Sequence, residues 1–329
     1  MRKAILGIVA ILAAWGLWAL FASSSLDQSQ VVSISVGQGA GAISRSLAEA
    51  GAVRSALVFR VAVRLTGQQG ALKAGDYEVP PGLNTLQTLE LLVSGKTLVH
   101  RFLVREGLSA KQIAALLQEQ KLANAAKFMT VVKDEGFTKE LGLPGPTLEG
   151  YLFPDTYQVA KGLDEKALAR LMVARFKQKV PDAMLAQGAA IKLTPRQVMS
   201  MAALIEKEAK ADKERPLVSG VFRSRMKQKK RLESCASVRY ALDKWTGPLY
   251  NKDLLAVSPY NTYQNFGLPP GPICSPGLAS INAALHPVQT DALYFVVAGD
   301  GTHIFSKTYE EHLAAKARWK KLKKGIVDE

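Results

Sequence analysis

An α+β protein with one apolar N-terminal helix is what this sequence predicts. Three observations carry the expectation. A charge-free apolar run follows the first three residues. Behind it, short strand-like segments alternate with amphipathic helices instead of segregating into long helical or all-strand regions. Hydrophobic residues make up 48% and charged residues 22% of the chain, a globular composition. At 329 residues the chain exceeds the usual size of a single core, so more than one domain is expected. We divide it into a tip and anchor (1–26), a small α+β module (27–98), a linking α+β region (99–192) and a last mixed α+β domain (193–329).

Met1-Arg2-Lys3 precedes an apolar run over residues 4–22, and no charge returns before Asp27. About 20 apolar residues in a helix cross a bilayer core of about 30 Å. Arg2 and Lys3 would stay in the cytoplasm and the remainder would lie outside it. A cleavable signal peptide is the competing reading, with Ala22-Ser23-Ser24-Ser25 small enough to be cut. The run is long for such a peptide, and Leu20 fits poorly three residues before a cut after Ala22. A single uncleaved span through residues 4–22 is therefore the preferred expectation.

The elements then follow in order. Residues 31–36 alternate like a half-buried strand. Residues 42–50 form a short helix stopped by Gly51, and residues 55–65 a second one ended by Gly67. Residues 73–79 read as a strand before the Pro80-Pro81-Gly82 turn, and residues 85–93 as a helix before Ser94-Gly95. A strand is expected at 99–104, helices at 109–117 and 125–134, an aromatic, turn-rich stretch at 148–157, and a helix at 164–178. Thr194-Pro195 is a strong helix start, with the cap and the proline in their preferred places, and the helix should run to about Ala211. A helix at 215–227, a proline-rich loop at 259–277 and a helix at 279–285 come next. A strand at 293–298, a turn at Gly299-Asp300-Gly301, a returning strand at 303–305 and a basic helix at 308–324 complete the chain.

The net charge of +15 suits a polyanion such as anionic lipid or an acidic cell wall. The basic clusters at 227–231 and 316–324 carry no nucleic-acid fingerprint, and a solvated basic surface accounts for them as well. No P-loop, GxGxxG, HExxH or GxSxG is present. His286 and His303 are too few and too far apart for a metal site. Cys235 and Cys274 are either a buried pair of thiols or one disulfide, and an extracytoplasmic setting makes the bond plausible.

Three places carry chemistry-bearing residues. In the helix from Pro195, Val198, Met201, Ala202, Ile205 and Ala209 share a face at about 100° per residue. Glu208 lies nearer the centre of that face than Glu206. A carboxyl among apolar side chains has a raised pKa, as a general acid at neutral pH requires. Tyr260, Asn261, Thr262 and Tyr263 precede Gly267-Leu268-Pro269-Pro270-Gly271. Aromatic rings and amides on a stiff loop suit sugars, stacking on their apolar faces and bonding their hydroxyls, although an ordinary structured loop has the same composition. Glu149, beside Tyr151, is a second acid, a sugar ligand or a turn residue.

These residues together resemble the YceG-like family of endolytic murein transglycosylases. The likeness runs through Leu72-Lys73-Ala74-Gly75-Asp76-Tyr77, the segment from Glu149 through Tyr151 and Phe153-Pro154-Asp155 to Tyr157, and the helix bearing Glu206 and Glu208. It continues through Tyr260 to Tyr263, Ser275-Pro276-Gly277 and His286-Pro287 with Leu293-Tyr294-Phe295-Val296. The resemblance implies a bacterial enzyme held in the inner membrane by one span, with a LysM-like module at 27–98 and a periplasmic catalytic domain at 193–329. It implies cleavage within nascent peptidoglycan strands between N-acetylmuramic acid and N-acetylglucosamine, leaving 1,6-anhydro ends, without cofactor or metal. It places catalysis on Glu208, the second acid of the pair, and sugar contacts on Glu149, Tyr151, Glu206 and residues 260–263. Peptidoglycan synthases are implied partners.

The chain departs from the family where relatives often read Leu-Gln-Thr-Asp-Pro. It has Leu232-Glu233-Ser234-Cys235-Ala236, so sugar contacts expected of a strand there are uncertain. Cys274 falls in the later loop, and the paired departures raise a Cys235–Cys274 disulfide bracing the cleft. Two rival functions stay open: a hydrolase of the same polymer with Glu149 or Glu233 activating water, and a non-catalytic wall-binding scaffold.

Overall fold

The computed structural model describes residues 2–35, 37–298 and 301–327. The chain divides into two compact units. One comprises Met1–Phe102, Leu117–Ala123 and Tyr157–Asp164; the other comprises Leu103–Leu116, Asn124–Thr156 and Glu165–Glu329. Residues 99–192 are thus shared between the units rather than forming a region of their own.

The first unit begins with helix α1 (Arg2–Phe21). Its apolar side chains, among them Ile5, Leu6, Ile11 and Leu12, are exposed. Only its end docks: Ala19 is buried, and its carbonyl accepts a bond from the Thr85 hydroxyl at 2.9 Å. Among the described residues no helix is long and apolar enough to cross a membrane. Strand β1 (Gln30–Ile34), helices α2 (Ala40–Glu49) and α3 (Ala56–Leu65), and strand β2 (Gly75–Val79) follow, with β1 and β2 antiparallel. Helix α4 (Thr85–Ser94) begins in a capping box between Asn84 and Gln87 and ends at left-handed Gly95. Val32, Ile34, Ile43, Leu47, Phe59, Tyr77 and Leu92 form one core. Each such apolar side chain contributes about 1.5–3 kcal/mol by leaving water. Asp76 is buried between the Ser33 hydroxyl at 2.6 Å, the Lys161 ammonium at 2.7 Å and the His100 ring at 3.0 Å. Burial opposes its charge, but these partners outweigh burial and hold the carboxyl below its ordinary range. The expected end of the first strand, Val36, lies outside the described residues.

Strand β3 (Val99–Leu103) leads to α5 (Ala110–Glu119). The helix expected over 125–134 is α6 (Ala125–Val132), which stops two residues early, and a further helix, α7 (Glu135–Glu140), follows it. Asp134 separates them because its side chain accepts from the Phe137 amide at 2.9 Å and so caps a new helix. The aromatic stretch beyond ends in a strand, β4 (Thr156–Ala160), paired with β3. Helices α8 (Glu165–Lys179) and α9 (Asp182–Ala186) follow.

Helix α10 (Pro195–Glu208) is the centre of the second unit. Thr194 and Gln197 cap it reciprocally, and every residue from Val198 to Ile205 is buried. A helix buried on all sides has no solvent face, so helical phase alone does not separate Glu208 from Glu206; their partners do. The helix stops at Glu208 rather than near Ala211, because Ala209 is extended. Around it stand α11 (Arg215–Lys227), α12 (Cys235–Ala241) and α13 (Leu278–Leu285). Gly150 is needed where it stands: its φ is +86°, and a Cβ there would lie 2.4 Å from the Pro272 ring. Strands β5 (Tyr294–Val297) and β6 (His303–Ser306) form an antiparallel hairpin, and α14 (Tyr309–Val327) closes the chain. Gly299 and Asp300 of the expected turn lie outside the described residues.

Candidate active site

Glu208 occupies the last residue of α10. There the helix's unpaired carbonyls disfavour a negative charge. Its Oε1 accepts from the Ser234 hydroxyl at 2.5 Å, and the carboxylate also accepts from the Ala236 amide in the first turn of α12. Burial pushes the carboxyl pKa up; the bonds from Ser234 and Ala236 pull against it without cancelling it. The residue is half-buried and lines a pocket of about 490 Å³. Phe222 and Arg225 of α11, the segment Leu232 to Cys235, Tyr263, residues 293–296, and Tyr309, His312 and Lys316 of α14 complete its walls.

This pocket is rigidly backed. Arg225, nearly buried, donates to the carbonyls of Arg231 at 2.7 Å and Leu293 at 2.9 Å and pairs with the Glu233 carboxylate. Its guanidinium also lies over the Tyr294 ring at 5.3 Å. Glu233 has φ +54°, a left-handed conformation that costs a non-glycine residue about 1–2 kcal/mol. The turn it makes carries the chain from Leu232 into α12, where Ser234 meets Glu208. Thr262 holds that turn in place: its carbonyl accepts from the Glu233 amide at 3.2 Å and its hydroxyl from the Ser234 amide at 3.0 Å. The Tyr294 and His312 rings, both on the pocket lining, stack on each other at 5.2 Å.

The residues proposed from sequence scatter around this pocket. Tyr263 lines it, its hydroxyl 3.2 Å from the Cys235 sulfur. Burial first, and then Cys235 and Glu208, push that hydroxyl pKa up, so it keeps its proton. Thr262 supports the site from behind, as described. Asn261 is not available to a sugar: it is fully buried, its amide donates to the carbonyls of Leu254 at 3.0 Å and Ala256 at 2.8 Å, and its oxygen accepts from the Tyr263 amide at 2.9 Å. Tyr260 packs on Tyr240 with ring centres 4.8 Å apart. Tyr151 is core, its hydroxyl donating to the Pro144 carbonyl at 3.1 Å and its ring meeting Phe176 edge-on. Glu206 turns to Arg215 at 3.3 Å and the Gly277 amide at 3.0 Å. Glu149 accepts from the Ala110 amide at 3.0 Å and the Tyr240 hydroxyl at 3.3 Å; burial pushes its pKa up to about 7 against those bonds.

The Cys235–Cys274 disulfide is not formed. Cys235 is an exposed free thiol on the pocket, whereas Cys274 is a buried free thiol whose sulfur lies 3.5 Å from the Ala203 carbonyl. Segment 232–236, expected as a strand, turns into α12 at Cys235. Ser234, Arg225 and the α14 side chains were missed from sequence. A spacing of three and four residues among Tyr309, His312 and Lys316 puts them on one helical face, a signal present within a helix read only as basic. Among the described residues no group of three or more His, Cys, Asp or Glu side chains converges as a metal site would.

Fold and pocket together define an α+β protein with a raised-pKa carboxyl, Glu208, on the wall of a pocket. The chain belongs to the YceG-like family, whose sequence profile matches residues 32–318. It is 32% identical over 312 residues to a Bacillus subtilis (strain 168) protein named endolytic murein transglycosylase, covering 89% of this chain and 86% of that one. A Streptococcus pneumoniae D39 protein of the same name is 28% identical over 316 residues, covering 85% of this chain and 56% of its own length. The crystal structure of a yceG-like protein from Listeria monocytogenes superposes with a TM-score of 0.60 at 31% identity, covering 88% of this chain and 99% of that one.

Proposed function

We propose that this chain is a lytic transglycosylase that cuts peptidoglycan glycan strands internally, with Glu208 as its acid and base. The observation that carries the reading is the Glu208 carboxyl: half-buried, raised in pKa and lining a pocket of about 490 Å³. The names borne by the relatives supply the polymer. Protonated Glu208 donates to the glycosidic oxygen as the bond to the anomeric carbon breaks and positive charge develops there. The resulting carboxylate takes the proton from the muramic acid C6 hydroxyl, whose oxygen bonds to C1. The 1,6-anhydro ring forms, the leaving strand keeps the first proton, Glu208 regains one, and no water is consumed. Ser234 holds the carboxylate in place between the two transfers, and the stacked Tyr294–His312 pair adds aromatic surface to the pocket that receives the sugar. Acid–base work of this kind contributes about 10²–10⁴ in rate.

The first unit extends the reading. Its β1–α2–α3–β2 order and antiparallel strand pair support a LysM-like module that holds the strand. Helix α1, preceded by Arg2 and Lys3, is proposed as a single anchor in the cytoplasmic membrane, with the pocket on the outer side. An enzyme held there meets strands, and the synthases making them, at the membrane surface.

A second reading rests on Glu233, a second carboxylate on the same pocket. If it activated water the enzyme would be a hydrolase, but Arg225 already engages it. Mass spectrometry of strands cut by the full chain separates the two. Anhydro ends from wild type and none from Glu208→Gln support the transglycosylase. Reducing ends, or full activity in Glu208→Gln, refute it.

A further inference from the structure

The basic residues between Glu49 and Asp76 play no part in the chemistry above. Arg54, Arg60, Arg64 and Lys73 fall in a stretch without a single acidic residue. On α3 they keep company with an apolar stripe. Leu57, Val61 and Leu65, spaced i, i+4 and i+8, are 54%, 46% and 82% exposed. Phe59, Ala62 and Val63 occupy the buried face of the same helix. At about 100° per residue, Arg60 and Arg64 lie immediately beside the exposed stripe, on the side away from the core. An apolar stripe flanked by arginines is the pattern of a helix lying in the plane of a membrane interface.

A second observation gives the surface its place. The stripe opens into an apolar cavity of about 550 Å³ whose opposite wall is the end of α1: Leu12, Trp15, Gly16, Leu17 and Leu20. Tryptophans gather where hydrocarbon meets headgroups, and Trp18 lies 5.9 Å beneath the Arg54 guanidinium. With α1 as the anchor, Trp15 and Trp18 set its last turns at that interface, and α3 packs against those turns with its apolar stripe toward the cavity and Arg60 and Arg64 beside it.

We infer that α3 and the end of α1 form a binding surface for anionic phospholipid. An acyl chain lies in the cavity against Leu57, Val61 and Leu65, and phosphate is held by Arg60 and Arg64. The inference rests on α1 being an anchor, and the test separates the two. The full-length protein, carrying Cys235→Ser so that one site alone is labelled, receives an environment-sensitive fluorophore at Leu65→Cys. A control places it at Glu78→Cys, exposed on β2. Both are reconstituted into vesicles of phosphatidylcholine with and without phosphatidylglycerol. The expected result is a blue shift and quenching by brominated acyl chains at position 65 but not 78. It should be stronger with phosphatidylglycerol and reversed toward the aqueous value by Arg60→Glu with Arg64→Glu. A water-like signal at 65 in protein that floats with the vesicles overturns the inference and leaves the anchor standing. Protein that fails to float overturns both. A blue shift indifferent to phosphatidylglycerol and to the arginine changes refutes the phosphate contact.

Discussion

Replacing Glu149 by glutamine should stabilise the protein, and only above mildly acidic pH. Glu149 is 7% exposed, and burial lifts its pKa from 4.5 to about 7 even though Ala110, Tyr240 and Gly150 bond it. Below about pH 4.5 the carboxyl is protonated in both folded and unfolded chains, and ionisation costs nothing. Between 4.5 and 7 the unfolded chain has released the proton while the folded one retains it, so folding stability falls as pH rises. Above 7 both states are ionised and the penalty is complete. At about 1.4 kcal/mol per pH unit it amounts to roughly 3 kcal/mol. Glutamine still accepts from the Ala110 amide, stays near the Tyr240 hydroxyl and carries no charge. Glu149→Gln should thus match wild type near pH 4 and exceed it by about 3 kcal/mol near pH 8. For a unit of this size that corresponds to an upward Tm shift of roughly 6–12 °C. Paired thermal melts from pH 4 to 9 measure the difference directly. A difference independent of pH, or a wild type that gains stability relative to the variant as pH rises, would refute the account of Glu149 as a carboxyl held neutral by burial.

Other outcomes follow from the same geometry. Wild-type turnover should fall as pH rises through the raised Glu208 pKa, since the acid must be protonated to start the reaction; a pH–rate profile of strand cleavage reads this limb. Ser234→Ala removes a bond that favours the carboxylate, so the limb should move to higher pH; a shift the other way contradicts the assigned role. Arg225→Ala leaves the carbonyls of Arg231 and Leu293 without their donor and should cost about 3 kcal/mol in denaturant melts; a loss within experimental error would mean that the arginine does not brace the pocket. Alkylation of folded protein without reductant should modify Cys235 alone, and after unfolding both cysteines; failure to recover two thiols would restore the disulfide.

Much of the fold was legible because local chemistry dictates it. Thr194-Pro195 with Gln197 starts α10 whatever surrounds it, and the alternation in β1 and the glycine after α4 act within a few residues. The errors fall where no local signal exists. Ala209 to Ala211 contain neither glycine nor proline, so nothing in the chain announces that α10 stops at Glu208. Asp134 reads as one more polar residue until its side chain is seen to cap α7. The exposed stripe of α3 (Leu57, Val61, Leu65) is as apolar as its buried face (Phe59, Ala62, Val63), so hydrophobicity alone does not tell which of the two packs inward.

The sequence by itself determined the α+β class and drew attention to the acidic pair and the sugar-type loop, since composition, spacing and caps are short-range properties. Only the tertiary structure decided what each acid does. Glu206 and Glu208 are two residues apart on one helix, yet one meets an arginine and a backbone amide while the other is shut against Ser234 with an opening on a pocket. Asn261 and Thr262, chosen as ligands for their polarity, spend their bonds inside the protein. A carboxyl's proton affinity and an amide's free valence depend on which groups, distant in the chain, exclude water around them, and that is settled only when the chain has packed.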